Sequence, residues 1–271
     1  MPPPAIHPRS HAAPALRVDV RGLSAVLFKA CALVVLLGIA SHLVQGWAPQ
    51  DWGKLRHLAG LFDLNEERTV PTAFAVAQLL LAAGLLGALA AQRWRVRDPW
   101  RRHWVALALL VLLMALDEQA GLHERLSRPA KALLVTVVAA AFLRFVWHLP
   151  ADTRRGFIMA AVIFVGGALG LELLGGYFAE QGGVRDPGLL VASTGEEAME
   201  LFGVAMLIRT TARHASRHAG GLVLRLESQG DLGAPRAASR TMPSVAPAAS
   251  MAPGSTALAR GSRAVRGAVD R

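Results

Sequence analysis

Six long apolar runs leave this chain one architecture. Residues 23–45, 70–91, 104–123, 131–148, 156–177 and 189–208 are each mostly apolar and close to the ~20 residues a helix needs to cross a bilayer. Lipid satisfies no backbone hydrogen bond, so such runs must be helical. The expected fold is all-α, a polytopic membrane bundle of six transmembrane helices. The fourth run is short and the sixth is the least apolar. The first run is read as a retained anchor. Its preceding segment is long and proline-rich, and the small residues near Gly38 and Ala40 make a weak cleavage site.

Lys and Arg near the run ends set the orientation. Arg9, Arg17, Arg21, Arg93, Arg95, Arg97, Arg101, Arg102, Arg154, Arg155, Arg209, Arg213, Arg217 and Arg225 fall on one side. Lys54, Arg56, Arg68, Arg125, Arg128, Lys131 and Arg185 fall on the other, half as many. The richer side is therefore cytoplasmic and both termini are expected there, in a bacterial inner membrane. The net charge of +10 does not mark a nucleic-acid binder. Its basic residues sit in short segments between apolar runs, not on one aromatic-bearing face, so the expected partner is the bilayer. Three parts follow: a cytoplasmic segment 1–22, a membrane domain 23–210 and a tail 211–271. The tail, rich in Ala, Ser, Pro, Gly and Arg, reads as disordered, basic and cytoplasmic.

Smaller signals agree. Trp47, Trp52, Trp94, Trp100, Trp104 and Trp147 all fall near run ends, as an interfacial belt requires. Leu55, Leu58, Ala59 and Phe62 recur at helical spacing after Asp51, which predicts a short interfacial helix. Pro71 sits where a helix start tolerates its missing N–H. Gly166 and Gly170 form a small-xxx-small pair suited to close helix packing. Cys31 reads as a small buried residue, and His214 and His218 as part of a basic juxtamembrane helix.

The acids carry the functional information. Thirteen of the nineteen fall on the outer side or in the outer half of the membrane. At the rise of an α-helix, Asp117 lies roughly 20 Å from Trp104, Glu172 roughly 25 Å from Arg155, and Glu200 roughly 16 Å from Leu189. Runs three, five and six thus bring carboxylates to overlapping depths, with Glu66 and Glu67 at the rim. By helical angle, Asp117, Ala120, His123 and Glu124 share one arc while Glu118 points elsewhere. Glu196, Glu197 and Glu200 share another. Such stripes must face protein or a cavity. Ionised carboxylates in this number cannot all be dry, so protons, a cation, water or arginines must offset them.

A histidine among carboxylates from several helices is the ligand set of a divalent metal such as iron, manganese or zinc. Glu67, Asp117, His123, Glu124, Glu172, Glu196 and Glu200 are the candidate ligands. The spacing lacks a Glu-x-x-His pair. Plainer readings compete. His123 and Glu124 can mark the water interface. Ser193-Thr194-Gly195-Glu196 reads as a capping box, making Glu196 and Glu197 first-turn acids. A run starting at Ser193, however, leaves little apolar length before Arg209. His42 and His57 lie on the correct side as spare ligands, or simply at the interface.

Three stretches, NEERTVPT at 65–72, LDEQAGLHE at 116–124 and EEAMELFG at 196–203, resemble those of a family of multi-pass bacterial membrane proteins without an established function. The resemblance implies an acid four before the proline, at Glu67, then the Asp-Glu and His-Glu pairs, then the spaced glutamates. Thr69 stands where that pattern has asparagine. The likeness covers about residues 23–210 and implies no activity or cofactor.

Three functions fit: a membrane-embedded metal site, a proton- or cation-coupled transporter, or a non-catalytic component whose acidic pocket docks a membrane protein partner. Transport is the weakest, because the acids occupy only one half of the membrane and no inverted repeat is present. No Ser–His–Asp setting or phosphate-binding glycine loop supports nucleophilic or nucleotide chemistry.

Overall fold

The structure is a computed structural model that describes residues 15–17, 19–49, 51–66, 68–121, 125–182, 187–218 and 223–225. Contacts divide the chain into Met1–Leu226 and Glu227–Arg271, and every described residue lies in the first part.

Local chemistry sets the helix ends. Helix α1 (Val20–Trp47) starts where Asp19 accepts bonds from the amides of Arg21 at 3.0 Å and Gly22 at 3.1 Å. It stops before Ala48-Pro49. A short α2 (Gly53–Gly60) follows, where spacing predicted an interfacial helix. Helix α3 (Val70–Arg95) carries Pro71 in its first turn, as does α5 (Arg128–His148) with Pro129. Between them, α4 (Arg101–Ala120) ends at Gly121, left-handed at φ 58°. Helix α6 (Ala151–Val165) runs through a π-helical turn, Gly166–Leu171, into α7 (Glu172–Gly182). Helix α8 (Pro187–His218) closes the bundle and extends past residue 210. A three-residue antiparallel pair joins β1 (Ala15–Arg17) to β2 (Val223–Arg225).

Among the described residues five helical segments are long and apolar enough to cross a membrane: α1, α3, α4, α5 and the rod Ala151–Gly182. Helix α8 is absent from that set; it holds Glu196, Glu197 and Glu200 within its apolar stretch. Its position explains its composition. It packs on α1, α3, α6, the π turn and α7, so most of its surface meets protein rather than lipid. Ala205, Ile208 and Thr211 are fully buried. The peripheral α5 is the reverse case, with Phe145 its one buried residue and Leu133 and Leu143 at least 60% exposed. Large apolar side chains on that outer surface are what lipid contact requires.

Close helix approach depends on glycines at the contact. A Cβ on Gly167, in the π turn, would stand 2.8 Å from the Glu196 carbonyl oxygen and 2.9 Å from Met199 Cβ. One on Gly203 would stand 2.9 Å from the Phe164 backbone nitrogen. Both lie where α8 meets the rod of α6 and the π turn, as does Gly156, where a Cβ would meet the Thr210 side chain. The sequence pair Gly166 and Gly170 is not the contact: a Cβ on Gly166 would meet only the mobile end of Met199, and one on Gly170 nothing within 4 Å.

Candidate functional site

Three glutamates share one cleft. Glu118 from α4 and Glu197 and Glu200 from α8 line it with Ala75 and Leu79 of α3, Phe164 of α6, and Leu201 and Val204. Its volume of about 10 Å³ is close to the least that holds a single water. Helix α8 has begun at Pro187, so Ser193 is already inside it and its hydroxyl bonds the Leu190 carbonyl at 3.2 Å. Glu196 and Glu197 are therefore not first-turn capping acids, and the capping-box reading is set aside. They are held mid-helix among other side chains.

The charges interact across elements. Lys131 of α5 bonds Glu172 Oε1 at 2.8 Å, both groups largely shielded from solvent. Glu196 lies within electrostatic reach of Glu172 and Lys131. Glu200 lies within reach of Glu118, Glu196, Glu197 and Lys131. The Arg128 guanidinium rests over Gly176, next to the same face of α7. Four helices thus contribute charge to one region, and among the described residues Lys131 is the cation whose field reaches Glu196 and Glu200.

Of the candidate ligands, Glu172, Glu196 and Glu200 belong to this region. Asp117 is half-buried on α4 and engaged in contacts of its own. Glu67, His123 and Glu124 lie outside the described residues. Among the described residues no group of three or more His, Cys, Asp or Glu stands in metal-holding geometry. Angular reasoning missed Glu118, which is the α4 carboxylate in the cleft. The signal existed: Val111, Ala115 and Glu118 stand at i, i+4 and i+7, and the first two are buried.

A second polar cluster sits at the opposite, arginine-rich end. His214 is 3% exposed. Its Nδ1 faces Thr153 Oγ1 at 2.9 Å and its Nε2 faces Arg93 Nη2 at 3.0 Å. A guanidinium only donates, so Nε2 accepts, and Nδ1 carries the proton and donates to Thr153. Arg93 also donates to the His218 carbonyl at 3.1 Å and to Asp98 at 3.4 Å. Trp104, Phe145 and Phe157 surround this network. Burial, then the charges of Arg93 and His218, push the His214 imidazole down to about 4, so it is neutral near pH 7. Trp104, expected in the interfacial belt, is 2% exposed and part of the core, because its helix face meets Phe145 and Phe157 rather than headgroups.

Between the two clusters lies an apolar layer of Leu86, Leu89, Ala205 and Ile208, all fully buried. One polar pair sits on α1 and α3, where Gln78 Nε2 donates to Cys31 Sγ at 3.1 Å.

The profile of a family described as Domain of unknown function (DUF8692) matches residues 26–215. The chain belongs to that family. The match runs from the first turns of α1 past His214, so the acidic cleft and His214 lie inside the family domain, while His218 lies beyond it. No curated protein and no solved structure matches the chain.

Proposed function

We propose that this member of the family is a bacterial inner-membrane protein with six membrane-crossing helices, both termini cytoplasmic, that holds a divalent cation such as iron, manganese or zinc in the outer half of its bundle. Helix α8 is the sixth crossing: enclosed by other helices, it carries carboxylates where a lipid-facing helix would not. The observation that carries the reading is the cleft shared by Glu118, Glu197 and Glu200. Carboxylates from two helices crowd one small volume, a grouping of oxygen donors of the kind that binds a cation. Hard oxygen donors suit such an ion. Glu196 lies within electrostatic reach of both Glu172 and Glu200, and Asp117 precedes Glu118 in α4. Glu67, His123 and Glu124, adjacent in the chain to α3 and α4, are the groups the sequence offers to complete the ligand set.

Transport across the bilayer is less well supported. The fully buried layer of Leu86, Leu89, Ala205 and Ile208 separates the acidic cluster from the polar groups at the other end. A site that binds without conducting fits that layer better.

Elemental analysis of the full chain, purified in detergent without chelator, tests the proposal. The expected result is a divalent metal near one per chain, lost in Glu200→Gln and in His123→Ala. A metal-free protein, or metal content unaltered by both changes, overturns it.

A further inference from the structure

The turn between α3 and α4 forms a second site, of opposite charge. Helix α3 ends in a Schellman stop, with the Asp98 amide on the Arg93 carbonyl at 3.0 Å and the Arg97 amide on the Trp94 carbonyl at 3.1 Å. That motif places one residue in the left-handed region, usually glycine. Here it is Arg97, at φ 55°. A non-glycine residue there costs about 1 kcal/mol or more, so the fold accepts strain to put a guanidinium at this corner.

Arg97 joins Arg95, Arg101 and Trp94 around an open cleft of about 530 Å³. The Arg101 guanidinium stacks over the Trp94 ring, 5.0 Å from its centroid. Among the described residues no carboxylate pairs with Arg95, Arg97 or Arg101. The nearby Asp98 is already used: one oxygen accepts from Arg93 at 3.4 Å and the other from the Trp100 amide at 2.7 Å. Helix α4 then starts at Arg101 with no acidic residue in its first turn and no side-chain cap from Trp100. Its positive dipole end therefore adds to the arginines. Uncompensated guanidiniums, a helix N-terminus and an aromatic platform together select a phosphate group.

Position identifies the source. Helices α3 and α4 are both long and apolar enough to cross a membrane, so the turn joining them lies at a membrane surface. Trp94 is 51% exposed and Val96 66%, apolar groups beside the cleft that suit the headgroup–acyl boundary. We propose that this cleft binds the phosphate of an anionic membrane lipid, the headgroup seated among Arg95, Arg97 and Arg101 with its acyl chains along Trp94 and Val96. It is independent of the cation site at the other end of the bundle.

The full chain is reconstituted in nanodiscs of phosphatidylcholine with and without phosphatidylglycerol, and retained lipid is counted by native mass spectrometry. Wild type is expected to keep phosphatidylglycerol preferentially. Arg97→Gly and Arg101→Gln should each weaken that preference roughly fivefold, the factor for one basic residue near an anionic surface. Arg97→Gly is the sharper variant, because glycine relieves the left-handed strain and should leave the melting temperature in neutral lipid unchanged or raised. No preference in wild type, or a full preference in both variants, overturns the proposal. Release of phosphatidylglycerol by inorganic phosphate at low millimolar concentration shows a soluble phosphate site instead and overturns the lipid assignment.

Discussion

The two ends of the bundle handle buried polarity in opposite ways. At the arginine-rich end the bonded groups around His214 are complementary: Thr153 meets one ring nitrogen, Arg93 the other, and Asp98 and the His218 carbonyl accept from Arg93. Aromatic rings close the network off. At the acidic end like charges gather, with Glu118, Glu196 and Glu197 all acting on Glu200. Satisfied networks stabilise a fold, whereas crowded like charges oppose it and persist where a site needs them. The first end joins helices through complementary bonds, and the second gathers like charges at a cost in stability.

The largest effect that tests this contrast is Trp104→Ala. It removes the indole packed on Phe145, Phe157 and His214 and should destabilise the protein by about 3–5 kcal/mol, read as a thermal shift in detergent. A loss under 1 kcal/mol breaks the view of this end as the structural one. Next is pH. His214 holds an imidazole depressed to about 4, from the ordinary value near 6.5. The folded chain therefore binds fewer protons than the unfolded chain between those values, so the linked stability is complete above pH 6.5. It should fade as pH falls through 4, by about 3 kcal/mol in total. Protonation puts an N–H on Nε2, facing Arg93. Melting curves of wild type and His214→Gln across that range check it, with a flatter profile expected for the variant.

The sign should reverse at the other end. Glu200→Gln relieves repulsion in the cleft and should raise stability by about 1–2 kcal/mol in metal-free buffer. A loss comparable to that of Trp104→Ala means the carboxylate is structural, and the contrast fails. The smallest effect concerns the glycines. Gly170→Ala should be neutral to stabilising by under about 1 kcal/mol, since a Cβ there meets nothing. Gly167→Ala should destabilise through its contact with the α8 backbone. Equal effects on melting would mean that the π turn and α8 do not meet at Gly167.

Much of the fold is legible in the chain because its punctuation is strong. Asp19, Pro71, Gly121 and Pro129 mark helix ends by mechanisms that act within a few residues. Run length and apolarity located the helices themselves. The angular reading on α4 went astray because it grouped Asp117 with residues beyond Gly121, where the left-handed turn ends the helix and helical angle loses meaning. The contact glycines were misplaced for a related reason. A spacing rule finds small residues on one helix, but the tight point is set by the α8 atoms opposite, which a pattern within one run does not contain. His214 looked like one more basic residue of a surface helix. Only packing against Trp104 and Thr153 makes it a neutral, buried link between helices.

Sequence alone determined that this chain is a set of long apolar helices, roughly where each lies, and that its carboxylates gather toward one end. Those properties depend on local backbone preference and on transfer from water to an apolar medium, both readable residue by residue. Tertiary structure alone decided that α8, the least apolar long helix, is the hub, that Glu118 rather than Asp117 shares the cleft with Glu197 and Glu200, and that Arg97 turns a helix stop into part of a basic cleft. The reason is that hydropathy records the tendency to leave water, which is the same whether lipid or another helix receives the side chain. Which of the two it meets depends on neighbours distant in the chain.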